Sequence, residues 1–156
     1  MKLNEIGDHD TYDQFPVQIP TLDAIRRWPR SLEVRKFEMS AYTIRSSLYL
    51  IDTVISQHTA SLTELHLVDV AVVNQSWIFF MHVLSTATGL RRCFIERLTV
   101  LLYRPQEIVC KTWLPGDAEV FEAEGKEIVH GLLAIGARSA EDTRKTILAA
   151  ENDDDD

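Results

Sequence analysis

Cysteine is scarce in this chain, and the only two, Cys93 and Cys110, are too few for a disulfide framework. No charged-then-apolar leader opens the sequence, and no apolar run approaches the roughly 18 residues of a membrane span. The expected setting is therefore the reducing cytoplasm or nucleus, with no membrane partner. Positive charge is also short: 16 Lys and Arg face 24 Asp and Glu, for a net charge of −8. Five of those negative charges sit in Glu151 and Asp153 to Asp156, so the body carries only −3. Arg26, Arg27 and Arg30, like Arg91 and Arg92, are short groups mixed with acids, whereas neutralising phosphates takes a basic stripe. Nucleic acid is not an expected partner. Six glycines offer little of the close backbone approach that nucleotide phosphates need. No Gly-rich phosphate loop, H-E-x-x-H, G-x-S-x-G or C-x-x-C is present, and no cofactor or metal is expected. What the chain does have is 46% apolar and 26% charged residues over 156 positions. A domain of that size buries roughly 70% of its unfolded surface and folds without a metal or disulfide staple.

The apolar residues recur with a period of 28, within the range of stacked repeat architectures. Val34, Leu62 and Leu90 share one column, Phe37, Leu65 and Cys93 the next, then Met39, Leu67 and Ile95. Tyr42, Val70 and Leu98, followed by Ile44, Val72 and Val100, continue the series. All fifteen positions are apolar, where composition alone predicts about seven. Each unit opens with an L-x-x-L-x-L pattern, clearest in Leu62–Leu67, which is the alternation of a strand with one buried face. Val34–Met39 and Leu90–Ile95 are its equivalents. Helix-like stretches follow at Ser47–Gln57 and Gln75–Thr86, with Ser46 or Ser47 and Asn74 as expected N-caps and Gly89 as the expected left-handed stop. A strand-then-helix unit repeated in this way brings successive strands back parallel. The expected fold is α/β: a short leucine-rich-repeat-like solenoid with parallel strands and outer helices.

The flanks are less regular. Residues 1–21 read as an irregular lead-in, and residues 22–136 as the repeat-like domain, opened by a capping helical patch at Leu22–Trp28 that Pro29 stops. After Val100 the pattern degrades into two strand-like runs, Leu98–Leu102 and Glu107–Trp113, and a turn at Leu114–Asp117. Val120–Ala123, followed by a helix carrying Ile128, Val129, Leu132, Leu133 and Ile135, is expected as a divergent fourth unit that caps the stack. Residues 137–156 read as a separate terminal helix, Ala140–Ala150, capped by Ser139 with Asp142, and a disordered acidic tail.

The run from Leu62 through Val68-Asp69-Val70 to Ser76-Trp77, then an apolar helix and Leu90-Arg-Arg-Cys-Phe-Ile95, resembles the degenerate leucine-rich repeats of filamentous-fungal F-box proteins. Phe121-Glu-Ala-Glu-Gly125-Lys-Glu-Ile-Val129 resembles the glutamate-glycine segment that often follows those repeats. The resemblance covers roughly residues 28 to 135. It implies a substrate-recognition arm of a ubiquitin ligase receptor. Family members carry an F-box ahead of the repeats, and residues 1–27 are too short and too polar to be one.

Catalytic and metal chemistry finds weak footing. Asp8, His9, Asp10 and Asp13 have the ligand types of a cation site, but in a stretch expected to lack rigid support. His58, His66, His82 and His130 are spread over several units. Cys93 occupies a column filled elsewhere by Phe37 and Leu65, so it reads as a small buried hydrophobe rather than a nucleophile. Trp77 reads as a plug between units rather than a ligand-stacking ring.

The expected function is a non-enzymatic protein-interaction module. In parallel L-x-x-L-x-L strands the residues between the apolar positions face the opposite side of the sheet. That places Lys36, Glu38, Glu64, His66, Arg92 and Phe94 on one surface facing a protein partner, with Phe94 the one aromatic in a polar row. The alternative is a small α/β enzyme, which a pocket with converging titratable side chains would favour over an open sheet face.

Overall fold

A computed structural model describes residues 2–4, 34–45, 55–104 and 106–153. They form a six-stranded mixed sheet, ordered β1-β2-β3-β4-β5 with β6 also pairing β4. The strands are β1 (Lys2–Asn4), β2 (Lys36–Ile44), β3 (Glu64–Val73), β4 (Arg92–Arg104), β5 (Gln106–Lys111) and β6 (Val120–Glu124). Two short helices, α1 (Ser56–His58) and α2 (Ile78–Ser85), lie in the connections, and a long helix, α3 (Lys126–Asp153), follows β6.

The 28-residue period becomes physical pairing. β2, β3 and β4 are adjacent and parallel, with Lys36 opposite Glu64 and Glu64 opposite Arg92. The bonds at the strand entrances repeat with the same step. The Arg35 carbonyl accepts from the Thr63 and Glu64 amides at 2.8 and 3.0 Å, and the Thr63 carbonyl from the Arg91 and Arg92 amides at 2.8 and 3.1 Å. Because equivalent residues meet equivalent residues, every apolar column of the sequence is a row of contacts across the sheet.

Halfway along each of these strands the alternation breaks. Ala41, Asp69 and Arg97 have left-handed backbones with φ of 49°, 53° and 51°, and the pairing passes from Ser40–Val68–Glu96 directly to Tyr42–Val70–Leu98. This is a bulge-like left-handed kink stacked in register through three strands, each carrying the extra residue at the same level rather than against an unbulged partner. The extra residue keeps Tyr42, Val70 and Leu98 on the same buried side as Met39, Leu67 and Ile95 although they lie three positions on. On the exposed side Arg97 grips Asp69 through two nitrogens, with Nη2 2.9 Å from Oδ2. That hydrogen bond holds the Asp69 carboxyl below its ordinary range.

One face of the sheet carries the core. Phe37, Leu65, Leu67, Ile95 and Leu98 pack with Trp77, Phe80, Met81 and Leu84 from the α2 segment and Ile128, Leu132 and Ile135 from α3. Trp77 is fully buried, its indole Nε1 donating to the Thr99 carbonyl at 3.0 Å and its backbone amide to Ser139 Oγ at 3.0 Å. It bolts the start of α2 to both β4 and α3, the plug expected of it. The two helices touch where Gly136 lies over Ile78. A Cβ there would stand 3.1 Å from the Ile78 Cα.

Several expectations give way. Lys2–Asn4 is not irregular: it adds a parallel strand beside β2. The Leu22–Trp28 patch, most of the expected Ser47–Gln57 helix and the Asp8–Asp13 cluster lie outside the described residues. α2 begins three residues later than expected. Asn74 does not cap it: with φ of 53° it turns the chain, and its Oδ1 accepts the Tyr103 amide at 2.9 Å. Gly89 is required by closeness rather than by a left-handed turn, since a Cβ would meet the Ala60 and Leu62 carbonyl oxygens at 3.1 and 3.2 Å.

The larger corrections concern the C-terminal part. Leu98–Leu102 is not a separate strand but the second half of β4. The expected fourth unit is antiparallel: β6 pairs with Arg92–Glu96 and β5 with Thr99–Arg104. Between them they occupy the outer edge of β4, where a fourth parallel strand would have joined. The two expected C-terminal helices are one, running through Ser139 without a break, because Ser139 is buried and spends its hydroxyl on Trp77 rather than on a cap. The architecture is an α/β fold on an open mixed sheet. Among the described residues no helix is long and apolar enough to cross a membrane.

Candidate functional site

The helices α2 and α3 cover one face of the sheet and leave the first half of β2, β3 and β4 presenting polar side chains on the other. Two cross-strand rows result. Lys36, Glu64 and Arg92 are directly paired, and so are Glu38, His66 and Phe94. All six residues named from the alternation therefore share one face, opposite the buried Phe37, Leu65 and Cys93. Lys36 and Arg92 are exposed and the other four half-buried by their neighbours.

The rows are knitted by short contacts. Lys36 Nζ lies 3.3 Å from Glu38 Oε2. The His66 and Phe94 rings face each other with centroids 5.8 Å apart at 36°. Such exposed pairs add little stability, but they fix side-chain geometry.

Two members were missed. β6 lies antiparallel beside β4, so Glu122 stands opposite Phe94 and Glu124 opposite Arg92, with Arg92 Nε 3.9 Å from Glu124 Oε1. Period 28 carries no signal for them, because an antiparallel neighbour does not repeat the phase of the strands before it. With them the face carries the carboxylates of Glu38, Glu64, Glu122 and Glu124 against the cations of Lys36 and Arg92, around the His66–Phe94 pair.

Among the described residues the remaining titratable groups do not converge. Burial pushes the Cys93 thiol up to about 12, which leaves it protonated and inert at neutral pH. Cys110 is half-buried on β5. His58 is buried in α1, where desolvation lowers its pKa, while His82 and His130 are exposed on α2 and α3. Among the described residues no group of three or more His, Cys, Asp and Glu is placed to hold a metal ion. A shallow cavity of about 320 Å3 lies beside β5, between Cys110 and the α3 residues Asp142 and Lys145. Asp142 is engaged there by Arg138 at 3.2 Å and Lys145 by Glu141 at 2.7 Å.

Fold and face together define an open-sheet α/β protein with helices on one side and a charged, aromatic-centred surface on the other. No protein-family model, curated protein or solved structure matches this chain.

Proposed function

We propose that this chain is a protein-interaction module of short leucine-rich-repeat type, using the open face of β2, β3, β4 and β6 to bind a protein partner. The observation behind this reading is the pairing that gathers Lys36, Glu38, Glu64, His66, Arg92 and Phe94 into two adjacent rows. A central aromatic beside an arginine, ringed by charges, is the composition of interface hot spots. Four carboxylates around two cations favour a partner segment with basic character. The role of substrate-recognition arm in a ubiquitin ligase receptor rests on the resemblance of Leu62–Trp77 and Leu90–Ile95 to fungal F-box repeats, and is a narrower form of the same proposal.

The test is comparative. Proteins retained by the wild-type chain and by Arg92→Ala/Phe94→Ala are quantified side by side, with thermal melting of both. A partner lost from the double variant at an unchanged melting temperature supports the reading. A partner set identical for the two chains sinks it.

A further inference from the structure

The edge of the sheet at β5 carries a separate signal. Among the described residues β5 pairs with β4 alone and ends the strand order. The Thr112 amide donates to the Leu98 carbonyl at 2.9 Å, so residue 112 points its backbone groups at β4. In an antiparallel ladder this orientation alternates. Cys110 and Ile108 therefore also bond inward, and the N–H and C=O groups of Glu107, Val109 and Lys111 point outward from the edge. Unpaired strand edges of this kind template the addition of another strand. Natural edges are blunted by lysines, proline or short length; β5 is short and carries a single Lys111, whose charge is balanced by Glu107 on the same outward-bonding positions.

Its sequence is instead complementary to itself. Val109, at 61% the most exposed large apolar side chain among the described residues, sits midway between Glu107 and Lys111. If a second β5 is laid antiparallel across a two-fold axis at Val109, each Glu107 falls directly opposite the Lys111 of the other copy. The outward-pointing residues 107, 109 and 111 are then the hydrogen-bonded rungs of that ladder, so backbone direction and side-chain charge agree on one register. Ile108 of one copy falls opposite Cys110 of the other, on the helix side, beside the shallow cavity lined by Ile108, Cys110, Asp142, Lys145 and Thr146. A shift by one residue would direct inward-bonding groups at the partner and lose both charge pairs.

We propose that a second copy of this chain docks at β5, forming a two-fold dimer whose sheets join across Val109. The interface is isologous, the commonest arrangement for closed homo-oligomers. It lies on β5 and α3 and leaves the Lys36-to-Phe94 rows untouched, so it stands or falls independently of the function proposed for them.

Sedimentation equilibrium of the full chain is the test. The wild type is expected to dimerise. Glu107→Lys sets two lysines opposite each other at both ends of the seam and should weaken the dimer by about tenfold or more. Glu107→Lys/Lys111→Glu restores opposite charges and should recover it. In a Cys110→Ser background, Val109→Cys should cross-link with a short bifunctional maleimide, because directly opposed Cα atoms of a hydrogen-bonded pair stand about 5.5 Å apart, within reach of the reagent although too wide at Cβ for a direct disulfide. A monomeric wild type, a dimer indifferent to Glu107→Lys, or failure of the Val109→Cys cross-link would each overturn the proposal.

Discussion

The parallel strands β2 to β4 and the antiparallel strands β5 and β6 are held to the same sheet by different logic. In the parallel part each strand is a translated copy of its neighbour. Columns, bulges and entrance hydrogen bonds all recur with the 28-residue step, from Arg35 to Thr63 to Arg91. In the antiparallel part nothing recurs. β5 and β6 divide one edge of β4 between them, and α3 closes over the core with glycines where it meets Phe121 and Ile78. A repeat spreads its stability over many equivalent contacts, while the closing segment depends on a few individual fits.

One buried site in each part should respond differently to truncation or overpacking. Leu65 is fully buried between Phe37 and Cys93 in the central strand, and Leu65→Ala should cost about 2–5 kcal/mol through lost burial and the cavity left behind. A loss below about 1 kcal/mol in chemical denaturation would remove that column from the core. Gly131 is the counterpart on α3. Any Cβ there would collide with the Phe121 ring, so Gly131→Ala should destabilise by about 1–3 kcal/mol despite its better helix propensity. Adding Phe121→Leu should recover part of that loss, and a Gly131→Ala protein as stable as wild type would show that the ring moves aside freely.

The stacked bulge offers a smaller, opposite effect. Asp69 and Arg97 hold each other in place at their left-handed positions, whereas Ala41 is an alanine at φ of 49°. Ala41→Gly relieves the Cβ clash at some entropic cost and should stabilise by about 1 kcal/mol or less. Destabilisation in the same denaturation assay would mean that the bulge is not strained in β2.

The smallest expected effect is a dependence on pH. Burial lowers the His58 pKa below the usual 6.5. The unfolded chain therefore binds the proton more readily, and the contribution of neutral His58 is complete above pH 6.5 and is lost as pH falls toward the folded-state value. Denaturation midpoints measured across that window should decline on acidification, and His58→Gln should flatten the decline. An identical slope in the variant would assign the acid sensitivity to other groups.

How far these features could be read in advance follows the same division. The fifteen apolar positions, the parallel order and the shared face of Lys36, Glu38, Glu64, His66, Arg92 and Phe94 were legible, because a translated strand writes its register into sequence spacing. The bulge was present only as the three-residue step from Leu67 to Val70, whose meaning depends on knowing which side each residue faces. Glu122 and Glu124 were illegible as members of the face, and Ser139 was misread as a cap although its hydroxyl serves Trp77, 62 positions away in sequence.

Period and alternation are local patterns carried by residue order alone, and they suffice for the parallel core and its two faces. How the stack ends is settled by packing between distant segments. The reversal of β5 and β6 onto the free edge of β4, and the single helix over the core, depend on which backbone groups are still unpaired after the repeats have formed. That is a property of the assembled sheet rather than of any segment within it.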